Sequence, residues 1–84
     1  MNPQLNKLIE EIEDLITKRK WLLNQIRKFE EKYKMTSKEF HKAWTKGLIP
    51  EPNDPETHGD FIVWEGLIEE LKHTEEKLAT KIKG

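Results

Sequence analysis

From Leu5 to Tyr33 the apolar positions advance in steps of three and four: Leu5, Leu8, Ile12, Leu15, Leu22, Ile26, Phe29 and Tyr33. That spacing puts them on one stripe of an α-helix. The stripe has a single polar member, Arg19, at its middle. A second stripe, Phe61, Trp64, Ile68, Leu71, Leu78 and Ile82, also has one polar member, Glu75. Two helical seams, each interrupted once by a charge of opposite sign, predict helices that face each other.

Local signals bound the elements. The first helix is expected from Pro3 to about Lys34, with Asn2 as its cap and Pro3 at the position where a missing N–H costs nothing. Thr36-Ser37-Lys38-Glu39 has the form of a capping box, in which Thr36 bonds the amide of Glu39 and Glu39 reaches back. Met35 and Phe40 flank it as a hydrophobic staple would. A short second helix follows, about Ser37 to Lys46, stopped by Gly47. The stretch 47–59 contains Pro50, Pro52 and Pro55 and reads as a loop. The third helix is expected to begin near Asp60, a suitable N-cap, and to run to Lys83. Residues 1–84 thus form a single domain. The expected fold is all-α: a long antiparallel helical hairpin, coiled-coil-like, with a short third helix packed at the connecting end.

With Leu5 at heptad position a, Arg19 falls at a, and position e is apolar three times, at Ile9, Ile16 and Leu23. So wide a face exceeds what a two-stranded seam needs and implies a further helix, a dimer or a partner. When the third helix is folded back with Phe61 beside Tyr33, Glu75 comes level with Arg19. The pair then serves as a register lock, or Arg19 extends its charge to water past its aliphatic stem. A parallel homodimer through the first helix would set Arg19 against its own copy, which is unfavourable without an acid nearby. Trp21, at position c, and Ile62 and Val63 lie off the seams, and Leu48 and Ile49 lie where the loop begins. Trp21 is read as a partner surface, since tryptophan is enriched among residues that dominate binding. The other four are expected to be covered by the short helix and the loop. Gly66 lies inside the third helix, where it costs about 1 kcal/mol relative to alanine; close approach of another backbone would explain it, and so would mere tolerance.

The chain has 84 residues, 15 basic and 16 acidic, for a net charge of −1, and no cysteine. Near-neutrality argues against a nucleic-acid binder, which needs a basic face. Lys38, Lys42 and Lys46 do line one face of the short helix, but a recognition helix after a tight turn is missing. Disulfides, thiol chemistry and cysteine–zinc sites are excluded. No apolar run reaches the roughly 20 residues of a membrane span, and Met1-Asn2-Pro3-Gln4 has no signal-peptide character. A soluble, cytoplasmic protein is the expectation. His41, His58 and His73 fall in three different elements, and none has a histidine four residues away. Neither a metal site nor a cofactor is expected, and no serine or threonine has a visible base and orienting acid for nucleophilic catalysis.

The middle of the chain carries a resemblance. Glu31-Lys32-Tyr33-Lys34-Met35-Thr36-Ser37-Lys38-Glu39-Phe40, then Trp44 and Gly47, then Gly59-Asp60-Phe61, Trp64 and Gly66-Leu67 resembles small prokaryotic coiled-coil antitoxins of the TumA type, which are encoded beside a toxin. The likeness spans roughly half the chain and rests on fold signatures. The proline-rich loop is longer here than in that pattern. The resemblance implies a binder that masks a cognate toxin and names no active-site residue. The candidate partner-binding residues are Trp21, Phe40, Trp44, Phe61, Trp64, Gly66 and Leu67, and the heptad register makes Arg19 with Glu75 the candidate structural ion pair. A second stretch, Ile12 to Lys20, is similar to the first helix of the all-helical chorismate mutases, where an arginine at the place of Arg19 binds a substrate carboxylate. That family also uses a second arginine near the helix start and a lysine further on. Asn2 and Glu30-Glu31 stand near those places here. A dianionic substrate needs several converging cations, so no catalytic residue is assigned and no enzymatic activity is expected. The other reading, from a different class, is a self-associating structural coiled coil driven by the stripe Ile9, Ile16 and Leu23.

Overall fold

A computed structural model describes residues 2–83. Met1 and Gly84, the outermost residues of the expected domain, lie outside them. Three helices follow in order: α1 (Pro3–Tyr33), α2 (Ser37–Thr45) and α3 (Pro55–Lys83), with no strand among the described residues. The chain is a rod of 57 × 21 × 18 Å.

The caps explain the breaks. Asn2 accepts from the amide of Gln4 at 3.0 Å and starts α1. Lys34 ends it with φ 54°, the left-handed conformation that returns amides to the last carbonyls. Thr36 Oγ1 accepts from the amide of Glu39 at 3.1 Å, while the Glu39 carboxylate accepts from the Thr36 hydroxyl rather than from the Thr36 amide. At the end of α2, Gly47 has φ 71°, its amide bonds the carbonyl of Trp44, and the amide of Leu48 bonds that of Ala43. This is the paired closure of a Schellman motif, and it requires the positive φ that glycine adopts without strain.

One boundary differs from expectation. α3 starts at Pro55, five residues before Asp60. Asp54 is the cap: its carboxylate accepts from the amide of Thr57 at 2.8 Å and its carbonyl takes the amide of His58. The Thr57 hydroxyl first, and then its amide, hold the Asp54 carboxyl below its ordinary value. Pro55 sits where its missing N–H is harmless, so only Pro50 and Pro52 belong to the connection. Asp60 lies in the second turn and has other work. His58 therefore shares α3 with His73, so the three histidines occupy two elements.

α1 and α3 pack along each other. Tyr33 lies on Phe61 with ring centroids 5.1 Å apart, Arg19 bonds Glu75 midway, and Glu11 bonds Lys81 near the other end. The core is concentrated where α2 joins them. Phe40 and Trp64 are fully buried and stacked at 4.0 Å, with Phe61 against both. Phe29, Tyr33, Met35, Trp44, Ile49 and Ile68 surround them. The buried Trp64 ring N–H donates to Ser37 Oγ at 2.8 Å. Further along, Leu22, Ile26 and Thr74 are the buried members of the seam.

Thr74 corrects the seam in α3. A strict heptad places Glu75 there, but the inward row runs Leu71, Thr74, Leu78 and Lys81, and Glu75 is exposed. From Leu71 the inward row steps by three to Thr74, where the heptad count steps by four to Glu75. Thr74 tolerates burial because its hydroxyl donates to the carbonyl of Glu70 at 2.9 Å.

Candidate binding face

The two flanks of α1 differ in chemistry. On one flank lie the position-g residues Glu11, Lys18 and Lys32, each paired across to α3. Glu11 meets Lys81, Lys18 meets Glu70, and Lys32 meets Asp60 at 2.7 Å and Glu56 at 3.3 Å. Lys81 holds the carboxyl of Glu11 below its usual range, and Lys18 does the same for Glu70. Asp60 collects most: Tyr33 donates its hydroxyl at 2.6 Å beside Lys32. Lys32 first and then Tyr33 hold the Asp60 carboxyl low. Burial, aided by Asp60, pushes the Tyr33 phenol up, and Asp60 raises Lys32.

The other flank is apolar and largely uncovered. Leu5 is 50%, Ile9 45% and Ile16 41% exposed, with Ile12 and Leu23 half-buried. Across from them on α3 lie the half-buried Ile68 and Leu71 and, near the end, the exposed Ile82. α2 covers only the connecting end of this flank. Its first amide, at Ser37, donates to Glu30 Oε2 at 2.7 Å, and His41 Nδ1 lies 2.6 Å from Glu65 Oε1. Beside the first turns of α2, two adjoining hollows share Ile68 and Leu71. One, of about 350 Å³, is lined by Leu23, Ile26, Lys38 and His41; the other, of about 460 Å³, runs on to Glu75 and Ala79. Arg19 Nε donates to Glu75 Oε2 at 3.1 Å along this flank, with both side chains about half exposed. The two charges sit at the rim of the seam and not within it.

The candidate partner residues separate into two groups. Phe40, Phe61 and Trp64 are core, so contact with a partner would require unfolding the connecting end. They were legible as aromatic, but their burial depends on three helices meeting. Trp44 is half-buried on Phe40, and Leu67 is half-buried. Trp21 is 56% exposed, on the flank beyond the ion-pair row. Gly66 is exposed, and a methyl group there would meet nothing within 4 Å, so no close backbone approach within the chain accounts for it. Leu48, Ile62 and Val63 are exposed rather than covered by α2 and the loop, while Ile49 does join the core. With Phe61 and Trp64 turned inward, helical geometry turns the two residues between them outward.

A grouping that sequence reading missed is His41 with Glu65 and Glu69, whose ligating atoms lie within 4.8 Å of one another. Glu65 Oε2 is buried without a hydrogen-bond partner. The signal was a Glu–Glu pair one turn apart on α3, with its histidine on another helix. His58 faces Glu51 at 3.6 Å, while Asp60 is engaged by Lys32 and Tyr33. No described helix is long and apolar enough to cross a membrane. Comparison with protein families, with curated proteins and with solved structures found no match.

Proposed function

We propose that this chain is a protein-binding module: an antiparallel helical hairpin, braced by α2 at one end, that presents apolar surface to a partner. One observation carries the reading. Large apolar side chains of α1 stand 41–56% exposed, Leu5, Ile9 and Ile16 along one flank and Trp21 on the other, although the core is complete without them. Isolated exposed apolar residues need no explanation, but a run of them marks an interaction surface. The resemblance to small coiled-coil antitoxins gives the partner a character, a toxin whose working surface the module masks. Trp21 is the anchor on that side, a large amphipathic ring next to a row of ion pairs that would form a polar rim.

The test is co-expression with the product of the reading frame beside this gene. The unaltered chain is expected to co-purify with that product. Trp21→Ala, with an unchanged circular dichroism spectrum, is expected to weaken the complex at least about tenfold, the scale of a binding hot spot. A Trp21→Ala chain that binds as tightly as the original would remove Trp21 as the anchor. A neighbouring product that never associates would remove the antitoxin reading.

A further inference from the structure

The uncovered flank of α1 is self-complementary, and we infer that its occupant is a second copy of this chain, with the two α1 helices antiparallel about a two-fold axis at Ile16. Three independent features lead there. First, the apolar row is symmetric about Ile16: Ile9 lies seven residues before it and Leu23 seven after. In an antiparallel pair each residue faces the one equally far on the other side, so Ile16 meets itself and Ile9 meets Leu23 of the second copy. Ile9 then arrives at the hollow of about 350 Å³ that Leu23, Ile26 and His41 line beside the first turns of α2.

Second, the charges bordering the row match in this direction. Glu13, Lys20 and Arg27 are exposed at position b, beside the row, and none has an ion-pair partner among the described residues. Antiparallel pairing brings Glu13, three residues before the axis, against Lys20 of the second copy, four after it. A parallel pairing would oppose Arg19 to Arg19 and Lys20 to Lys20. Third, the lengths agree. α2 is fastened by Ser37 to Glu30, fourteen residues beyond Ile16, and the second copy's helix begins at Asn2 and Pro3, about fourteen before it. Its end therefore reaches α2 as the apolar row runs out. Parallel copies would instead drive one α2 against the other.

This inference rests on the protein-binding reading only in using exposed apolar surface; the Trp21 flank plays no part in it. Because the chain has no cysteine, single cysteines report the register. Light scattering during size exclusion, across micromolar to millimolar concentration, is expected to show a dimer. With a bismaleimide spacer of about 10 Å, the distance between packed helix axes, Ile16→Cys is expected to link to itself. Ile9→Cys alone is expected not to, its two copies standing about 21 Å apart along the axis, but to link in a mixture with Leu23→Cys. Ile16→Asp is expected to raise the dimer Kd at least about a hundredfold at unchanged helicity, since it replaces a buried apolar side chain twice over. Glu13→Lys is expected to weaken the dimer a few-fold, and Lys20→Glu added to it to restore most of that. A monomer at every concentration overturns the inference, and the Trp21 experiment still decides the wider reading on its own. A dimer in which Ile9→Cys links to itself as readily as Ile16→Cys overturns it too.

Discussion

The two ends of this rod are built on different principles. At the connecting end three helices meet, and Phe40, Phe61 and Trp64 lose all or nearly all contact with water. At the far end two helices run side by side, no residue of α1 before Leu22 is buried, and the ion pairs Glu11–Lys81 and Lys18–Glu70 stand about 40% exposed. Burial of large aromatic side chains contributes kilocalories each, whereas exposed ion pairs contribute a few tenths. Stability therefore belongs to the connecting end, while the apolar row of α1 stays open along the rest of the rod. An 84-residue chain buries too little to stabilise both. A third helix as long as α1 would have covered the whole flank; α2, nine residues long, leaves most of it open.

The strongest way to break this contrast is to cut into each end. Trp64→Ala removes a fully buried ring, its stack on Phe40 and the bond to Ser37. The cost is expected at about 3–5 kcal/mol, comparable with the whole stability of a domain this size. Far-ultraviolet circular dichroism should show a chain largely unfolded in buffer. Ile9→Ser, at the other end, is expected to lower the unfolding free energy of the monomer, read from urea titration, by less than about 0.5 kcal/mol. Equal effects at the two sites would mean that the stability is shared along the rod.

A smaller effect separates the ends by pH. The carboxyl of Asp60 is held low by Lys32 and Tyr33, so its contribution is complete above the ordinary carboxylate range, about pH 4, and is lost as pH falls through the depressed folded value. The phenol of Tyr33 is raised, so its contribution holds up to about pH 10 and is lost as pH rises through the folded value. Tyr33→Phe is expected to cost about 1–2 kcal/mol at pH 7, the value of a hydrogen bond to a charged group. Its deficit against the unaltered chain should shrink below pH 4, once Asp60 is protonated, when urea midpoints are compared across pH. A deficit that stays constant to pH 2 would assign the loss to packing against Phe61 and Trp64 instead.

Much of this contrast could be read along the chain, and the parts that could not have a common cause. Asn2-Pro3, Thr36 with Glu39, and Gly47 are local signals, settled by bonds within a few residues, and each stands where it was read. The opening of α3 was missed although Asp54-Pro55 is also a local signal, because Pro55 was counted with Pro50 and Pro52 as a sign of a loop. Thr74 was missed because a strict heptad count steps by four from Leu71 to Glu75, while the packed row steps by three. The partner residues divided because exposure is a property of three helices at once: Phe40 and Trp64 look like interface aromatics until α2 folds over α3. Ile62 and Val63 look coverable until Phe61 and Trp64 take the inward positions. The apolar excess at Ile9, Ile16 and Leu23 was legible from one helix alone. What covers it is not, since α2 lies only at the connecting end, its first turn tied to Glu30 and its Trp44 against Phe61.

The smallest effect concerns the middle of the rod, where the two regimes meet. Arg19 and Glu75 bond at 3.1 Å with both side chains nearly half in water. Screening limits such a pair to at most about 1 kcal/mol, so the bond alone holds the helices together weakly. Its value is directional. Two helices with apolar seams can slide by a turn at little loss of packing, and opposite charges at one level penalise the slipped registers more than they favour the native one. Arg19→Glu is expected to lower stability by about 0.5–1 kcal/mol, through two carboxylates facing across the seam at low salt. Glu75→Arg added to it is expected to recover about half, with the recovery shrinking as salt rises toward 1 M. A double variant no better than the single would place the register elsewhere, in the Tyr33, Asp60 and Lys32 cluster at the connecting end. The far end would then be fixed only through the rigidity of its own helices.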